Sequence, residues 1–164
     1  MARQLSTDDT QYLTNANVSI PTSDCTISLW FYDQESVADV NILCGLTTYG
    51  TGVELNMVTR STTRQLRCHT RQNPSGFLVA ITSNTYSLNT WNHAFGRWSD
   101  TYRWAVLNNG TKATETTSYT YTMGGDGLFV GWRENTLGPK WYGRLAELAI
   151  WNSVLHHKEA QILN

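Results

Sequence analysis

Apolar and polar residues alternate with a period of two along most of this chain. The clearest case is DCTISLWFY, residues 24–32, in which cysteine, aliphatic and aromatic side chains occupy every second position. Because successive side chains of a strand point to opposite faces, this pattern predicts an antiparallel strand with a buried face. Similar short runs follow, separated by turns that contain Gly, Thr, Asn or Pro. They predict strands over Val40–Leu46, Val53–Val58, Gln65–Thr70, Phe77–Thr82, Trp91–Trp98, Tyr102–Leu107, Thr111–Thr116 and Leu128–Trp132.

The C-terminal segment changes its period partway. Residues 141–151 alternate and are apolar on both parities, which predicts a closing strand inside a two-layer body. A turn at 152–153 follows, and apolar residues then recur at helical spacing up to Leu163. Glu159 lies near the predicted start of this short helix, where the helix dipole favours a carboxylate.

The number and spacing of these elements predict the fold class. About ten or more short strands and one short C-terminal helix indicate an all-β, two-sheet antiparallel jelly-roll sandwich rather than an α/β fold. The chain has 164 residues, and neither a linker nor an internal repeat interrupts it. We therefore expect one domain over residues 1–164.

Charge and composition limit the partners and the compartment. Only 15% of the residues are charged and the formal net charge is -1, so we expect neither nucleic acid nor an anionic membrane as a partner. The N-terminus has no apolar core of signal-peptide length, and no apolar run could cross a bilayer. We therefore expect synthesis in the cytoplasm. Cys25, Cys44 and Cys68 lack a C-x-x-C spacing and are predicted to be buried free thiols.

Several blocks of sequence carry a family resemblance. Three blocks follow one another along the chain: Asn89–Gly96 (NTWNHAFG), Arg103–Ser118 (RWAVLNNGTKATETTS) and Tyr142–Asn152 (YGRLAELAIWN). Two shorter blocks precede them, Asp8–Leu13 and Thr26–Phe31. In this order they resemble the blocks of the laminin-G-like, concanavalin A-like jelly-roll domains. In that family a Trp-x-His strand, a Tyr-Leu-Asn-Gly hairpin and an Asn-Gly-Arg-Ile-x-Glu strand lead into a short helix. The chain is most similar to the stand-alone form seen among bacteriophage and environmental proteins.

The sequence has no recognisable arrangement of catalytic residues. Glucanases of the superfamily set carboxylates two to five residues apart on one strand, whereas here only Asp33 and Glu35 are two apart and Glu147 has no carboxylate neighbour. We interpret the pair as a solvated loop and Glu147 as a structural residue bonded to a neighbouring strand. His93 is predicted to be a hydrogen-bonded residue of the sandwich. Motifs for a serine hydrolase, a phosphate loop or a zinc helix are absent, so we predict no enzymatic activity.

A cofactor is not expected, with calcium as the open alternative. Many relatives hold calcium at the rim of the sandwich, and such a site needs several converging oxygens. Asp8, Asp9 and Asp126 are the candidate ligands, but the chain has only 13 acidic residues and its sequence does not bring these three together.

Aromatic residues are the remaining candidates for binding. If Ala105 and Leu107 face the core, as the family pattern implies, Trp104 faces outward from the same strand. An outward tryptophan is either a platform for sugar stacking or an anchor in a subunit interface. Trp30, Trp91 and Trp151 are interpreted as core residues. The candidates for glycan or subunit contact are Trp104, Tyr119, Tyr121, Trp132, Arg133, Asn135 and Trp141.

Two functions remain open. The first is a non-enzymatic structural or decoration protein of a virion, associated with a capsid or a tail and exposed on its surface. Its partners would be other virion subunits and further copies of this chain, and surface glycans could bind it weakly. The alternative is an autonomous lectin-like module that binds carbohydrate. The lack of a signal peptide favours the first function, because virion proteins leave the host by lysis.

Overall fold

The computed structural model describes the chain in twelve ranges that cover most of its strands. These are residues 3–5, 13–15, 24–34, 40–47, 53–60, 62–72, 76–99, 101–117, 127–131, 141–153, 155–156 and 158–159.

Twelve strands make up the described part of the fold. They are β1 Arg3–Leu5, β2 Leu13–Asn15, β3 Cys25–Asp33, β4 Val40–Thr47, β5 Val53–Arg60, β6 Gln65–Gln72, β7 Gly76–Ile81, β8 Trp91–Trp98, β9 Arg103–Leu107, β10 Ala113–Glu115, β11 Gly127–Val130 and β12 Gly143–Trp151. Sheet A has the order β1-β12-β3-β8-β9-β10, and sheet B has the order β2-β11-β4-β5-β6-β7. All neighbouring strands pair antiparallel. The predicted jelly-roll sandwich is confirmed.

The core lies between the two sheets, where the apolar parity of each strand is buried. Ile27, Leu29 and Phe31 of β3 are at most 1% exposed and meet the inward residues of sheet B. Two hydrogen bonds also cross the sandwich. Trp98 Nε1 on β8 donates to the carbonyl of His69 on β6 at 3.0 Å. The buried Arg103 on β9 donates through Nε to Thr70 Oγ1 on β6 at 2.9 Å. These directional bonds help to set the position of one sheet on the other.

The three cysteines are buried free thiols inside this core, as predicted. Burial raises the pKa of the Cys25 thiol to about 12. Burial and a neighbouring thiol also raise the pKa of Cys44 and of Cys68 well above the usual value of a thiol. Gly96 of β8 faces the same region, and a Cβ atom there would lie 2.5 Å from Cys68 Sγ. The core is therefore closely packed at this point, with no space for a larger residue at position 96.

The hairpin between β9 and β10 has the turn that its sequence predicts. Asn108 and Asn109 have φ values of 47° and 57°, and the amide of Gly110 donates to the carbonyl of Leu107 at 2.8 Å. Two positive φ angles with this hydrogen bond define a type I′ turn, whose twist matches that of the flanking strands. Asn84 Nδ2 also donates to Leu107 O at 2.7 Å, and a Cβ at position 110 would collide with the Asn84 side chain.

Leu155 of the C-terminal segment packs on the outer face of sheet A. Phe95, Trp104 and Val106 form a buried cluster there, packed against the partly buried Tyr102 and Leu155. Phe95 and Trp104 stack with ring centroids 5.2 Å apart. After β12 the chain passes over this cluster and begins a helical turn at residues 158–159, where the amide of His156 donates to the Glu159 carboxylate. A carboxylate that accepts from the amide three residues earlier is one half of a capping box at a helix N-terminus. The rest of the predicted helix lies outside the described residues.

Strand β12 contains a bulge that places Glu147 differently from the prediction. The register with β3 shifts between Ala146 and Ala149, and Glu147 adopts a φ of 51°. Its side chain is exposed and makes no hydrogen bond or ion pair with the described residues. The interpretation of Glu147 as bonded to a neighbouring strand is therefore wrong, because the bulge takes it out of the ladder.

Candidate functional site

Three side chains form a row on the outer face of sheet A, in which Arg144 and Trp91 are exposed and Tyr32 between them is partly buried. Tyr32 of β3 pairs in register with Arg144 of β12 on one side and with Trp91 of β8 on the other. All three have the parity opposite to the core residues of their strands, so they share the outer face. Two steps between adjacent strands, each about 4.8 Å, make the row about 10 Å wide at the backbone. We call Arg144, Tyr32 and Trp91 the aromatic row.

The Tyr32 ring contacts both of its neighbours in the aromatic row. Its centroid lies 5.7 Å from that of Trp91, in a T-shaped arrangement with an interplanar angle of 66°. The Arg144 Cζ atom lies over the same ring, 5.3 Å from the centroid. Edge-to-face and cation–π contacts of this kind hold the three side chains together, with the guanidinium over one face of the partly buried Tyr32 ring. Trp91 is 40% exposed, so this surface is open to solvent.

A second pair of rings lies on the same face of sheet A, next to the aromatic row. Trp30 and His93 pair in register one row farther along the same face, and their ring centroids are 5.0 Å apart. His93 is 3% exposed, and its Nε2 lies 2.6 Å from Ser28 Oγ in a hydrogen bond. Burial lowers the pKa of His93 to about 4, so the ring is neutral near pH 7. The prediction of a hydrogen-bonded histidine in the sandwich is confirmed.

The turn that precedes Trp91 is fixed by one buried amide. Asn92 Nδ2 donates to the carbonyls of Ser87 and Thr90, each at 2.9 Å. Asn92 Oδ1 accepts from Asn108 Nδ2 at 2.8 Å, which ties this turn to the β9–β10 hairpin. Because Asn92 is 1% exposed, these bonds are shielded from water and hold the turn rigidly. The side chains of Ser87 and Thr90 remain exposed next to the aromatic row.

Gly143 lets the backbone of β12 approach β3 directly below the aromatic row. It has a φ of 153°, and a Cβ atom at this position would lie 2.0 Å from the carbonyl oxygen of Tyr32. Any other residue would push β12 away from β3 and displace Arg144. The glycine of the sequence block Tyr142-Gly143-Arg144 is therefore required by this close approach.

The structure corrects three of the predictions about tryptophans. Trp104 does face away from the core, but it is only 1% exposed, since it lies in the outer cluster with Phe95 and Leu155. Trp141 is also 1% exposed and packs edge-on against Phe31 in the core, with centroids 5.7 Å apart. Neither is available as a surface platform in this chain. Trp91, interpreted as a core residue, is instead exposed.

Trp30 and Trp151 also lie outside the two-sheet core, against the prediction. Both are partly buried on the outer face of sheet A, where Trp151 has its centroid 6.4 Å from that of Phe95. The sequence located neither side chain correctly because β3, β8 and β12 are apolar on both parities. The other predicted contact and calcium residues lie outside the described residues: Tyr119, Tyr121, Trp132, Arg133, Asn135, Asp8, Asp9 and Asp126.

Carboxylates of the described residues are not arranged for hydrolysis. Asp33 is fully buried at the end of β3, and Tyr86 donates its hydroxyl to Asp33 Oδ2 at 2.7 Å. The interpretation of Asp33 as a solvated loop residue is wrong, while Glu35 lies outside the described residues. Within the twelve described ranges, no group of three or more His, Cys, Asp and Glu side chains could hold a metal ion. No helix in these ranges is long and apolar enough to span a membrane.

The sandwich with its open aromatic surface has the architecture of a lectin-like jelly-roll domain. A laminin G family model, described as the concanavalin A-like lectin/glucanases superfamily, matches residues 6–161, and the chain belongs to this superfamily. No curated protein is detectably similar to it in sequence.

Solved structures share the fold at low sequence identity. The native heptameric SAP-like pentraxin of Limulus polyphemus superposes with a TM-score of 0.73 at 16% identity, over 97% of this chain and 78% of that one. Domain 4 of an extracellular arabinanase from Geobacillus stearothermophilus, in complex with arabinotriose, has a TM-score of 0.73 at 12% identity, over 99% and 86%. The CBM40 domain of the Ruminococcus gnavus IT-sialidase, bound to α2,3-sialyllactose, gives 0.71 at 12%, over 87% and 83%.

Proposed function

We propose that the chain is one non-catalytic carbohydrate-binding module and that the aromatic row is its binding surface. The observation that carries this proposal is the exposure of Trp91, 40%, beside Tyr32 and Arg144 on an uncovered sheet face. A large aromatic side chain left open to water loses the free energy of its burial unless a ligand covers it.

The chemistry of the aromatic row suits a sugar. One face of a pyranose ring carries mainly C–H groups, which pack on an aromatic ring, while the hydroxyl groups at its edge need hydrogen-bond partners. The exposed side chains of Ser87, Asn89 and Thr90 lie on the turn next to Trp91 and offer hydroxyl and amide groups. Asn92 holds this turn in place, so little conformational entropy is lost when a ligand binds.

The structural neighbours are consistent with this role. The arabinanase domain and the sialidase domain were solved with arabinotriose and sialyllactose bound, and both share the fold with this chain. At 12% identity they do not locate a binding site here. The position of the site therefore rests on the exposure and register of the aromatic row.

A glycan array with two matched variants tests the proposal. Ile81 of β7 is 41% exposed, about as much as Trp91, but it lies on sheet B and not in the aromatic row. Ile81→Ala is therefore the matched control for the loss of an exposed apolar side chain. We expect Trp91→Ala to lose at least about tenfold in affinity for the glycans that the parent binds, because one stacked ring contributes on the order of 1–2 kcal/mol. Ile81→Ala should bind like the parent. A parent that binds no glycan, with or without calcium, or equal losses in both variants, would overturn the proposal.

The role in a virion stays a prediction. Its observable consequence is assembly, since a decoration protein contacts other subunits and further copies of itself. The pentraxin neighbour is a heptamer, but fold similarity alone does not transfer its assembly to this chain. Sedimentation of the purified chain would test this hypothesis: a stable closed oligomer would support it, whereas a monomer at micromolar concentration would count against it.

A further inference from the structure

Arg144 carries a positive charge that the described residues do not neutralise. Its side chain is exposed and lies over the Tyr32 ring, and it makes no ion pair with a described carboxylate. Arginine usually pairs with a carboxylate when one is in reach, because its planar fork of donors matches the two carboxylate oxygens. Here the ring fixes the guanidinium beside Tyr32 and leaves its N–H groups open.

The nearest acidic residues along the strands of the aromatic row do not pair with Arg144. Asp33 follows Tyr32 but has the opposite parity, and it is buried and bonded to Tyr86. Glu147 lies three positions beyond Arg144, in the bulge, and makes no ion pair with it. Trp91 at the other end of the row has no charge. The row therefore presents one cation next to two aromatic rings.

This arrangement specifies the class of sugar, on the assumption that the proposed carbohydrate-binding function holds. We propose that the aromatic row binds an anionic sugar residue, with its ring stacked on Trp91 and its carboxylate paired with Arg144. A carboxylated pyranose combines an apolar ring face with one negative group at its edge, and the row presents the matching surfaces within about 10 Å. The guanidinium donates two parallel N–H groups to the two oxygens, a pairing that a neutral sugar cannot make.

The experiment compares acidic glycans with neutral counterparts of the same backbone. Immobilised uronate oligosaccharides and sialylated oligosaccharides are probed beside their methyl esters, in which the carboxylate is neutral and the ring is unchanged. We expect the parent to bind at least one acid about threefold to fivefold more tightly than its ester at low salt, the upper range for an exposed ion pair. The preference should shrink as the salt concentration rises, since the pair is exposed to solvent.

Variants separate the charge from the stacking surface. Arg144→Gln should remove the preference for the acid while leaving ester binding intact, and Arg144→Lys should restore only part of it because lysine lacks the planar fork. Arg64→Gln, at another exposed arginine, is the control for a general loss of positive charge and should retain the preference. Circular dichroism checks that each variant is folded.

The outcomes distinguish this inference from the proposed function. If acid and ester bind equally well and both need Trp91, the anionic specificity is wrong and the carbohydrate-binding function stands. If Arg64→Gln loses the preference as fully as Arg144→Gln does, the attraction comes from general charge and the assignment of Arg144 is wrong. If the parent binds neither the acids, nor the esters, nor any other glycan, both proposals fail.

Discussion

Thr26 and Leu155, which are 129 positions apart in the sequence, are joined through one hydroxyl group. Thr26 Oγ1 accepts a hydrogen bond from the Leu155 amide at 3.1 Å and donates its own to the Ser153 carbonyl at 2.7 Å. This hydroxyl thus satisfies two backbone groups of the C-terminal segment where the segment crosses the outer face of sheet A. Leu155 of this segment packs against the cluster of Phe95, Trp104 and Val106, whereas Trp91 of the aromatic row on the same face is 40% exposed.

Replacing Thr26 with valine should loosen the C-terminal segment. The variant keeps the shape of the side chain but leaves the Leu155 amide and the Ser153 carbonyl without their partner, which costs about 1–3 kcal/mol of unfolding free energy. Urea unfolding measures this loss, and hydrogen exchange should show faster exchange of the Leu155 amide. Thr26→Ser retains the hydroxyl and is expected to lose less than half as much. Equal losses in both variants would assign the effect to packing instead.

Stability should fall in mild acid because of His93. Burial lowers the pKa of His93 in the folded protein from 6.5 to about 4. As the pH falls, the unfolded chain therefore binds a proton at this histidine before the folded protein does. The contribution of the neutral ring is fully present above pH 6.5 and is lost progressively down to about pH 4. Two and a half pKa units correspond to about 3 kcal/mol at most.

Urea midpoints measured from pH 7 to pH 4 in the parent and in His93→Gln check this prediction. The glutamine variant should show the shallower decline over this range. His69, whose pKa burial and the nearby Arg67 also lower to about 4, is present in both proteins and forms a common background. Parallel pH profiles for parent and variant would show that His93 does not contribute.

Gly96→Ala should overfill the core. The new Cβ would lie 2.5 Å from Cys68 Sγ and within 3 Å of Trp98 and Met57 side-chain atoms, so the surrounding core must shift. We expect a loss of about 1–3 kcal/mol in unfolding free energy. Adding Cys68→Ala removes the closest atom and should recover part of this loss, a coupling that a double-mutant cycle measures. If the losses of the two single variants simply add, the contact between the new Cβ and Cys68 Sγ is not what destabilises Gly96→Ala.

The three thiols should resist modification in the folded protein. The thiolate is the reactive form, and burial raises the pKa of Cys25 to about 12 and also raises those of Cys44 and Cys68 well above the usual value, so almost no thiolate forms at pH 8. Labelling with a thiol reagent should therefore be slow in buffer and reach three equivalents only in denaturant. Rapid labelling of one cysteine in buffer would indicate that the core opens locally.

The strands were largely predictable from the sequence, because alternation reports which face of a strand is apolar. The predicted strand Trp91–Trp98 coincides with β8, and the other predicted strands overlap an observed one. Strands β1 and β2 were missed since three residues carry no periodicity.

The candidate site was not predictable in the same way. Alternation showed that Trp104 faces away from Ala105, but not that a segment from 50 residues farther along would cover it. Arg144, Tyr32 and Trp91 meet only because β12, β3 and β8 are neighbours in one particular register. That register is a long-range property, set by bulge and core packing rather than by local sequence.

The position of β3 also constrains when the protein can fold as it is synthesised. This strand lies inside sheet A between β8 and β12, and although it ends at Asp33, its partner β12 begins only at Gly143. Until translation has passed residue 151 and the chain has cleared the ribosome, one edge of β3 lacks its hydrogen-bonding partner. Folding of sheet A is therefore a late event in synthesis, and a nascent chain that stalls before β12 exposes the strand edge from which misassembly starts.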